Sequence, residues 1–523
     1  MCGTVGEMTF LDLADEPCHM SSQAALLQKA GKLEKAGDFT GLAQVYGQML
    51  TAEPGNPGIM VELGRAEQRR GRLEVALEHF SRAIARDPMC FAAWCNLGIV
   101  QHATGDSGEA IRSLTRAGEI DAKSAVPPLN LGVVLHESGD LAAALAAYHR
   151  AATLAPNMPE AHFSLANGLS DAHEHIAAIA SYERALKLRP RYVQARWNMA
   201  HSLLMTGDHA RGWQAFEARW QTGHLDREAR NFAQPQWRGE DIAGKTLLLW
   251  SEQGFGDIIQ FCRYAPLAAA RGARVVLGTR PQLLELLGSL ADVAAVVDLE
   301  GVLPRFDRHC PLMSLPLAFG TTLESIPATT PYLAAPARVA SAFGARIRET
   351  GRLLVGLVWS AGMRRHDASL FLAGAGKSMP PSLLGVLKHA DVEFFSLQVD
   401  VPARVAPIDM TDWSAELKTF ADTADLIERL DLVISVDTAS AHLAGALGKP
   451  VWLLLGENAC WRWGRDIATS PWYPTMRVFR QTSSGDWRVP LEAVRLALAE
   501  LAHKRPQHHA TGWRGRLAGM LRR

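Results

Sequence analysis

The sequence lacks several features that would define a class of protein at once. Its 54 basic residues balance its 54 acidic residues, so no net charge draws the whole molecule to nucleic acid or to an anionic membrane. No apolar run approaches the roughly 20 residues that a membrane-spanning helix needs. The first residues also lack the basic and apolar regions of a signal peptide. We therefore expect a cytoplasmic protein that does not bind nucleic acid.

Cysteine is also scarce. The seven cysteines of the 523-residue chain are scattered, and none forms the Cys-x-x-Cys pair that is typical of zinc and redox sites. We therefore expect no disulfide framework and no zinc site, and a reducing compartment fits this usage best. Hydrophobic residues make up 48% of the chain and charged residues 21%, as in ordinary globular proteins. The length suggests about three domains.

The first half of the chain repeats itself every 34 residues. Four kinds of position recur in register: a leucine (Leu63, Leu97, Leu131, Leu165), a small residue (Gly64, Gly98, Gly132, Ala166), an alanine (Ala76, Ala110, Ala144, Ala178) and a large residue (Phe80, Leu114, Tyr148, Tyr182). Small residues let two paired helices approach closely, and the large residue fills the gap between units. Such a unit cannot bury its apolar face alone, so units stack into a superhelix. The pattern predicts an α-solenoid over residues 22–222 and resembles the tetratricopeptide repeat.

A repeat array of this kind exposes an extended concave surface. The surface usually binds a peptide or a protein, so a protein partner in the groove is our first expectation. The alternative is that the array serves as a spacer or as a dimerisation surface.

The second half alternates strand-like and helix-like segments, which predicts α/β architecture with parallel sheets. One alternating block covers residues 244–336 and a second covers 350–497. The predicted strands share short, apolar, β-branched stretches, and the clearest are Thr246 to Trp250, Arg274 to Gly278, Leu353 to Trp359, Leu432 to Val436 and Val451 to Leu455. Two such lobes imply a cleft, and ligands bind at the carboxyl ends of the strands.

The first candidate motif is a glycine-containing loop between a strand and a helix, with Gly254, Gly256 and Asp257. Glycines there permit a tight turn and a close approach of backbone to ligand. A dinucleotide fingerprint would need a third glycine where Ile259 stands, so an oxidoreductase is disfavoured. Asp257 begins the helix. It is either a carboxylate stabilised by the helix dipole or a general base.

The second candidate motif runs from Asp437 to His442, directly after a predicted strand. Asp437, Thr438 and Ser440 are residue types that cap helices, and Ala439 lies between them. Free N–H groups at such a helix start suit a diphosphate, and His442 lies one turn further on. The alternative is that the capping residues only cap and that His442 is a hydrogen-bonded core histidine.

A third loop, with Ser360 and Gly362, follows the first strand of the second lobe, and Lys377 follows it in sequence. A loop of small residues at the end of a strand, with cations nearby, suits phosphate. The alternative is a solvated basic loop.

Residues 246–482 resemble the heptosyltransferase-like family, glycosyltransferase family 9. The resemblance is carried by Gly256-Asp257-Ile258, by the strand Val355 to Trp359 and by the stretch Val436 to Ala444. It implies two Rossmann-like lobes of the GT-B type and an inverting transfer from a nucleotide-diphosphate sugar, with no cofactor and no metal. By the same resemblance, Asp257 matches the general base, Asp437, Thr438 and His442 match the donor-binding turn, and Lys377 matches a phosphate-contacting lysine.

The sequence departs from the family pattern at Ala439, where glycine is usual. A methyl group there would crowd a phosphate, which keeps an inactive repeat scaffold open as a rival interpretation. A second rival is a transferase that acts on lipopolysaccharide core, with the array recruiting an assembly partner. Residues 503–523 carry six Lys or Arg and no acid. They are either a weak peripheral membrane contact or a frayed basic tail.

Overall fold

The protein is described from a computed structural model that covers residues 24–337, 343–347, 350–362, 376–399, 405–465 and 467–504. The chain divides into two compact units, one ending at Met199 and the other beginning at Ala200. The basic tail lies outside the described residues from position 505 onward. Within the described ranges, no helix combines the length and the apolar character needed to cross a bilayer.

The first unit is a run of helices joined by short turns, as predicted. The helices are α1 (Ala24–Ala36), α2 (Phe39–Ala52), α3 (Pro57–Arg69), α4 (Leu73–Arg86), α5 (Phe91–Ala103), α6 (Ser107–Ile120), α7 (Val126–Glu137), α8 (Leu141–Leu154), α9 (Pro159–Asp171), α10 (His175–Leu188) and α11 (Val193–Met205). Helix α11 crosses the boundary between the two units. The predicted α-solenoid is therefore confirmed.

The recurring small and large residues account for the helix packing in this unit. A methyl group built on Gly98 would lie 2.7 Å from Leu114, and one built on Gly132 would lie 2.5 Å from Tyr148. Both large side chains are fully buried. The turn glycine Gly139 has φ of 88°, a conformation that disfavours any residue with a Cβ atom. The 34-residue pattern thus encodes close helix contacts and tight turns.

The second unit begins with α12 (His209–Phe216) and continues into a four-stranded parallel sheet. Its strands are β1 (Thr246–Trp250), β2 (Arg274–Thr279), β3 (Ala295–Asp298) and β4 (Arg308–Pro311), in the order β3-β2-β1-β4. The helices of this lobe are α13 (Phe255–Phe261), α14 (Ala265–Ala270), α15 (Leu284–Leu287) and α16 (Leu315–Ala318). This is the first of the two predicted α/β lobes.

The second lobe has a six-stranded parallel sheet in the order β10-β9-β8-β5-β6-β7. Its strands are β5 (Leu353–Val358), β6 (Val392–Ser396), β7 (Met410–Asp412), β8 (Leu432–Val436), β9 (Val451–Leu455) and β10 (Met476–Arg480). Its helices are α17 (Phe420–Arg429), α18 (Ala439–Ala446) and α19 (Arg488–His503). The short strand β7 was not predicted, because its three residues include two polar ones and none is fully buried.

The second lobe has an apolar core, and its central strands end along one edge of the sheet. All five residues of β8 are buried, as expected for a parallel strand covered on both faces. The register pairs Val358 with Ser435 and Val436 with Leu454. Strands β5, β8 and β9 therefore end together, and the polar loops that follow them lie along one edge of the sheet.

Candidate active site

The aspartate of the first lobe lies at the start of α13. The turn after β1 places Gly254 so that its backbone N–H donates to the Asp257 carboxylate, with the nitrogen 3.0 Å from Oδ2. Asp257 is only 6% exposed. The loop therefore begins a helix with a carboxylate in its first turn, the arrangement that the sequence predicts.

The second carboxylate oxygen of Asp257 is engaged by a residue of the second lobe. Arg462 Nη2 donates to Oδ1 over 2.5 Å, and both side chains are buried. Burial alone would raise the pKa of Asp257, but nearby positive charges, Arg462 among them, lower that pKa to about 2. The carboxylate is therefore ionised and fully paired in this conformation.

The N-terminal turns of α13 and α18 contact each other directly. A methyl group built on Gly256 would lie 2.9 Å from His442 Cδ2 and 3.6 Å from Ala439 Cα. Glycine at position 256 is thus required by the approach of the two helices. The contact brings the loop of the first lobe and the Asp437–His442 turn of the second lobe into one site.

His442 is held in that contact by two aromatic neighbours. Its Nδ1 is hydrogen-bonded to the Tyr473 hydroxyl over 2.9 Å, and its ring lies 5.1 Å from the Trp463 ring. Burial lowers the pKa of His442 to about 3, so the ring is neutral near pH 7. In this conformation His442 has the surroundings of a bonded core histidine.

The start of α18 leaves backbone donors available. Thr438 occupies the N-cap position, but its side chain makes no capping bond. Its hydroxyl is bonded instead to Ser435, over 3.0 Å. The backbone N–H groups of Ala439 and Ser440 donate to no acceptor among the described residues, and both residues are partly exposed. Such a turn provides oriented donors for an anion.

Lys377 and Asp437 are brought together beside this turn. Lys377 Nζ lies 2.6 Å from Asp437 Oδ2, and the two side chains are 25% and 11% exposed. Burial opposes ionisation of Asp437, yet the ammonium group of Lys377 and other neighbours hold its pKa well below the usual range. The lysine therefore adds a positive charge at the edge of the helix start.

The loop after β5 is more occupied than the sequence suggests. The N–H of Ser360 donates to Gln398 Oε1 over 2.9 Å, and Gln398 Nε2 donates back to the Ser360 carbonyl over 3.1 Å. The Ser360 hydroxyl is 3.2 Å from that of Ser378. Gly362 is exposed. This loop lies at the same strand edge, but its backbone donors are partly used by Gln398.

Three residues of the site were missed by sequence reasoning. Arg462 stands between two tryptophans, and no local motif there indicates a pairing with Asp257. Tyr473 likewise gave no sign that it bonds a histidine 31 positions away. Gln398 could have been found, because a polar residue just after the buried strand β6 lies at the ligand-binding edge of a parallel sheet. Within the described ranges, no group of three His, Cys, Asp or Glu side chains is placed to hold a metal ion.

Fold and site together define a helical-repeat unit followed by two α/β lobes with parallel sheets. Comparison with known families is more specific. Residues 61–125 and 163–222 match one tetratricopeptide repeat model, and residues 129–150 match another. Residues 416–486 match glycosyltransferase family 9 (heptosyltransferase). The chain thus carries tetratricopeptide repeats, and its residues 416–486 are similar to glycosyltransferase family 9. The matched region contains the Asp437–His442 turn and Arg462, whereas Asp257 precedes it.

Two curated proteins are similar to parts of the chain. Protein FlbA of Caulobacter vibrioides is 27% identical over 326 residues, which cover 57% of this chain and 54% of that protein. Tetratricopeptide repeat protein 7A of Homo sapiens is 30% identical over 106 residues, or 20% of this chain and 12% of that protein. The chain thus spans about half the length of the first relative and a small part of the second.

Solved structures of repeat proteins match about a third of the chain. The crystal structure of MamA has a TM-score of 0.29 and 22% identity, covering 34% of this chain and 99% of that one. TTC0263, a thermophilic TPR protein in Thermus thermophilus, has a TM-score of 0.31 and 22% identity, covering 35% of this chain and all of that one.

Proposed function

We propose that the protein is an inverting glycosyltransferase that moves a sugar from a nucleotide-diphosphate sugar to an acceptor hydroxyl without a metal ion. The family match over residues 416–486 supports glycosyl transfer as the reaction type. The observation that carries the proposal is the contact between α13 and α18, because it sets a carboxylate and an anion-binding helix start side by side.

The donor half of the site has the groups that a diphosphate needs. The N–H groups of Ala439 and Ser440 are oriented donors, and Lys377 adds charge next to them. Charge-assisted hydrogen bonds of this kind are about twice as strong as neutral ones. In the proposed complex the diphosphate lies on the first turn of α18, and Ser360 with Gly362 borders it from the neighbouring strand end.

The acceptor half of the site contributes the base. In the proposed reaction, Asp257 accepts the proton of the acceptor hydroxyl as its oxygen forms a bond to the anomeric carbon. The bond from that carbon to the diphosphate breaks, and the nucleoside diphosphate leaves with the electron pair. Fixed helix dipoles and the cation Lys377 stabilise the charge on the leaving group in place of a metal.

The repeats support interaction with a protein, so we propose that the acceptor is a protein bound by the array. An acceptor on lipopolysaccharide core is the competing form of the same reaction. The two predict different products. Mass spectrometry of total protein and of lipid A core from a strain that lacks this gene would show which product loses its sugar.

A second function is favoured by one specific observation. The Asp257 carboxylate is buried and paired with Arg462, and this positive charge makes it a weaker base in this conformation. A repeat scaffold whose lobes have lost turnover would keep such a pair as a structural bond. The two functions differ in nucleotide binding and in turnover, and both can be measured.

The decisive experiment is calorimetric titration of the whole protein with a panel of sugar nucleotides and nucleoside diphosphates, in the absence of divalent metal. We expect one nucleotide to bind and Lys377→Met to weaken it by roughly tenfold or more, as for a lost charge-assisted bond. Lys388→Met removes an exposed lysine of the same lobe and serves as the matched control.

Asp257→Asn should abolish transfer or donor hydrolysis and retain nucleotide binding. If no nucleotide binds the wild type or any variant, the transferase proposal fails and the scaffold function remains. If a nucleotide binds but Lys377→Met matches Lys388→Met, the donor does not lie at the start of α18.

A further inference from the structure

Arg462 lies between the two halves of the proposed active site. Its Nη2 donates to Asp257 on α13, and its Nε donates to Gln260 Oε1 over 2.7 Å. The next residue, Trp463, packs against His442 in the first turn of α18. The guanidinium group of Arg462 therefore contacts the proposed base, and the residue that follows it contacts the first turn of α18.

Several buried hydrogen-bond donors near Arg462 lack an acceptor among the described residues. These donors are Gln260 Nε2, Trp461 Nε1 and Trp463 Nε1. Arg462 itself donates one N–H to the sulfur of Cys460, over 3.1 Å, although sulfur is a weak acceptor. Buried donors without acceptors are destabilising, and a ligand with many acceptor oxygens would satisfy them.

The ion pair also conflicts with the chemistry proposed for Asp257. Each oxygen of the Asp257 carboxylate already accepts one hydrogen bond, from Arg462 or from Gly254, and the lone pairs that remain are less basic beside the guanidinium. A general base works best when its pKa lies near the working pH, and a close cation lowers the pKa of a carboxylate. The carboxylate becomes a stronger base when the guanidinium moves away.

We propose that Arg462 is exchanged between Asp257 and the diphosphate of the sugar nucleotide, so that donor binding releases the base. This inference rests on the proposed transferase function. The planar guanidinium fork fits diphosphate oxygens as well as it fits a carboxylate. In this proposal Arg462 has two positions, one at Asp257 and one at the diphosphate. A bound diphosphate stabilises only the second position, so donor binding shifts Arg462 toward it.

The exchange adds no reagent to the reaction. Before the donor binds, Arg462 neutralises Asp257, and afterwards it neutralises part of the diphosphate charge. Asp257 then takes the proton of the acceptor hydroxyl, and the diphosphate leaves bound to Arg462 and Lys377. When the nucleoside diphosphate dissociates, the proton on Asp257 passes to solvent and the Arg462–Asp257 pair forms again. Such coupling would prevent Asp257 from activating water before a donor is present.

A double-mutant cycle on the whole protein tests the exchange. The probe is whichever nucleoside diphosphate (ADP, UDP or GDP) binds the wild type, titrated by calorimetry, with inorganic pyrophosphate as a second probe. Asp257→Asn should tighten binding by on the order of tenfold, because Arg462 no longer has to leave a carboxylate. Arg462→Gln should weaken binding by a similar factor. Arg488→Gln, in an exposed ion pair of the same lobe, is the control.

The double variant Asp257→Asn/Arg462→Gln separates this mechanism from direct repulsion between Asp257 and the diphosphate. If Asp257 acts through Arg462, then Asp257→Asn has no tightening effect once Arg462→Gln is present. If the same tightening persists in the double variant, Asp257 acts directly on the diphosphate and the exchange is wrong. Equal affinities in wild type and Asp257→Asn also overturn it, while leaving the transferase proposal intact. Absence of nucleotide binding in all four proteins removes both proposals.

A measurement on the wild type covers the case in which a variant does not fold. Cys460 is buried and bonded to Arg462, so movement of Arg462 should expose its sulfur. We expect alkylation of Cys460, followed by peptide mass spectrometry, to become several-fold faster with the bound nucleoside diphosphate. Cys95 and Cys310 are also buried and should not change. An unchanged Cys460 rate at saturating nucleotide would overturn the exchange.

Discussion

Replacing Gly256 by alanine tests whether the contact between α13 and α18 is as close as the structure requires. In a helix, alanine is normally more stable than glycine by up to about 1 kcal/mol. At position 256 the added methyl carbon would lie 2.9 Å from His442 Cδ2, whereas carbon atoms in good contact are about 3.5–4.0 Å apart. The two effects have opposite signs, so the measured sign shows which one is larger.

The neighbouring ring cannot move away easily. His442 is fixed by its bond to Tyr473 and by packing against Trp463, and it is only 5% exposed. A gap of about 0.6–1.1 Å must therefore be opened between the two helices. Overpacking of this kind typically costs about 1–3 kcal/mol. Subtracting a helix preference of about 1 kcal/mol from the middle of this range leaves an expected net loss of about 1 kcal/mol for Gly256→Ala.

The assay is urea unfolding followed by tryptophan fluorescence. Of the 14 tryptophans, only Trp94 and Trp197 precede residue 200, so the signal reports mainly on the second unit. The cycle partner is His442→Ala, which removes the ring that obstructs the new methyl group. We expect the loss caused by Gly256→Ala to disappear in the His442→Ala background.

Two results would refute this reasoning. If Gly256→Ala is as stable as the wild type or more stable, the helices do not approach as closely as described. If the loss is the same with and without the His442 ring, its cause is a change in the loop itself and not the contact between the lobes. Either result would remove the observation on which the proposed function depends.

The remaining predictions concern charge and packing. Because His442 has a folded pKa of about 3 and an unfolded value near 6.5, the unfolded state takes up the proton first as pH falls. His442 should therefore contribute a loss of about 2 kcal/mol in stability between pH 7.5 and 5, and urea unfolding of His442→Gln should lack this contribution. Asp257→Asn should lower the free energy of unfolding by about 3–5 kcal/mol, because it leaves the buried guanidinium of Arg462 without a counter-charge; a smaller loss in Asp257→Asn/Arg462→Met, by the same assay, would support this cause. In the repeat unit, Gly132→Ala should be destabilising, since its methyl group would lie 2.5 Å from Tyr148, whereas Gly47→Ala, with nothing within 4 Å, should gain up to about 1 kcal/mol; thermal melts by circular dichroism check both.

The sequence predicted those parts of the fold that depend on contacts between residues close together in the chain. The spacing of Gly132 and Tyr148 predicts a close helix contact because both belong to one repeat. The strands β1, β8 and β9 were predicted with their observed ends, because a short apolar run between turn residues is a local signal. The strand β7 carries no such signal and forms only because it pairs with β6. Periodicity thus predicts elements that are stabilised by burial, and it misses those stabilised by pairing alone.

The candidate site divides in the same way. Asp257 and Thr438 were placed at helix starts correctly, since strand, turn and helix follow one another along the chain. Their meeting, and the pairing of Asp257 with Arg462, join positions 205 residues apart. No local pattern contains that information, because the contact depends on how the two lobes pack. The roles proposed for these residues remain predictions.

The charges of the site decide between a transferase and a scaffold. Two cations, Arg462 and Lys377, are each paired with one aspartate, Asp257 and Asp437, so these four groups sum to zero. A nucleotide sugar brings at least two further negative charges, and cations that are paired with aspartates neutralise these charges less well. Opening one of the pairs would therefore favour donor binding here. Opening the Arg462–Asp257 pair would free the base and also provide a cation for the donor. We therefore expect this pair, and not the Lys377–Asp437 pair, to open. A scaffold has no reason to open it, so nucleotide-dependent loss of this pair would separate the two functions even before an acceptor is known.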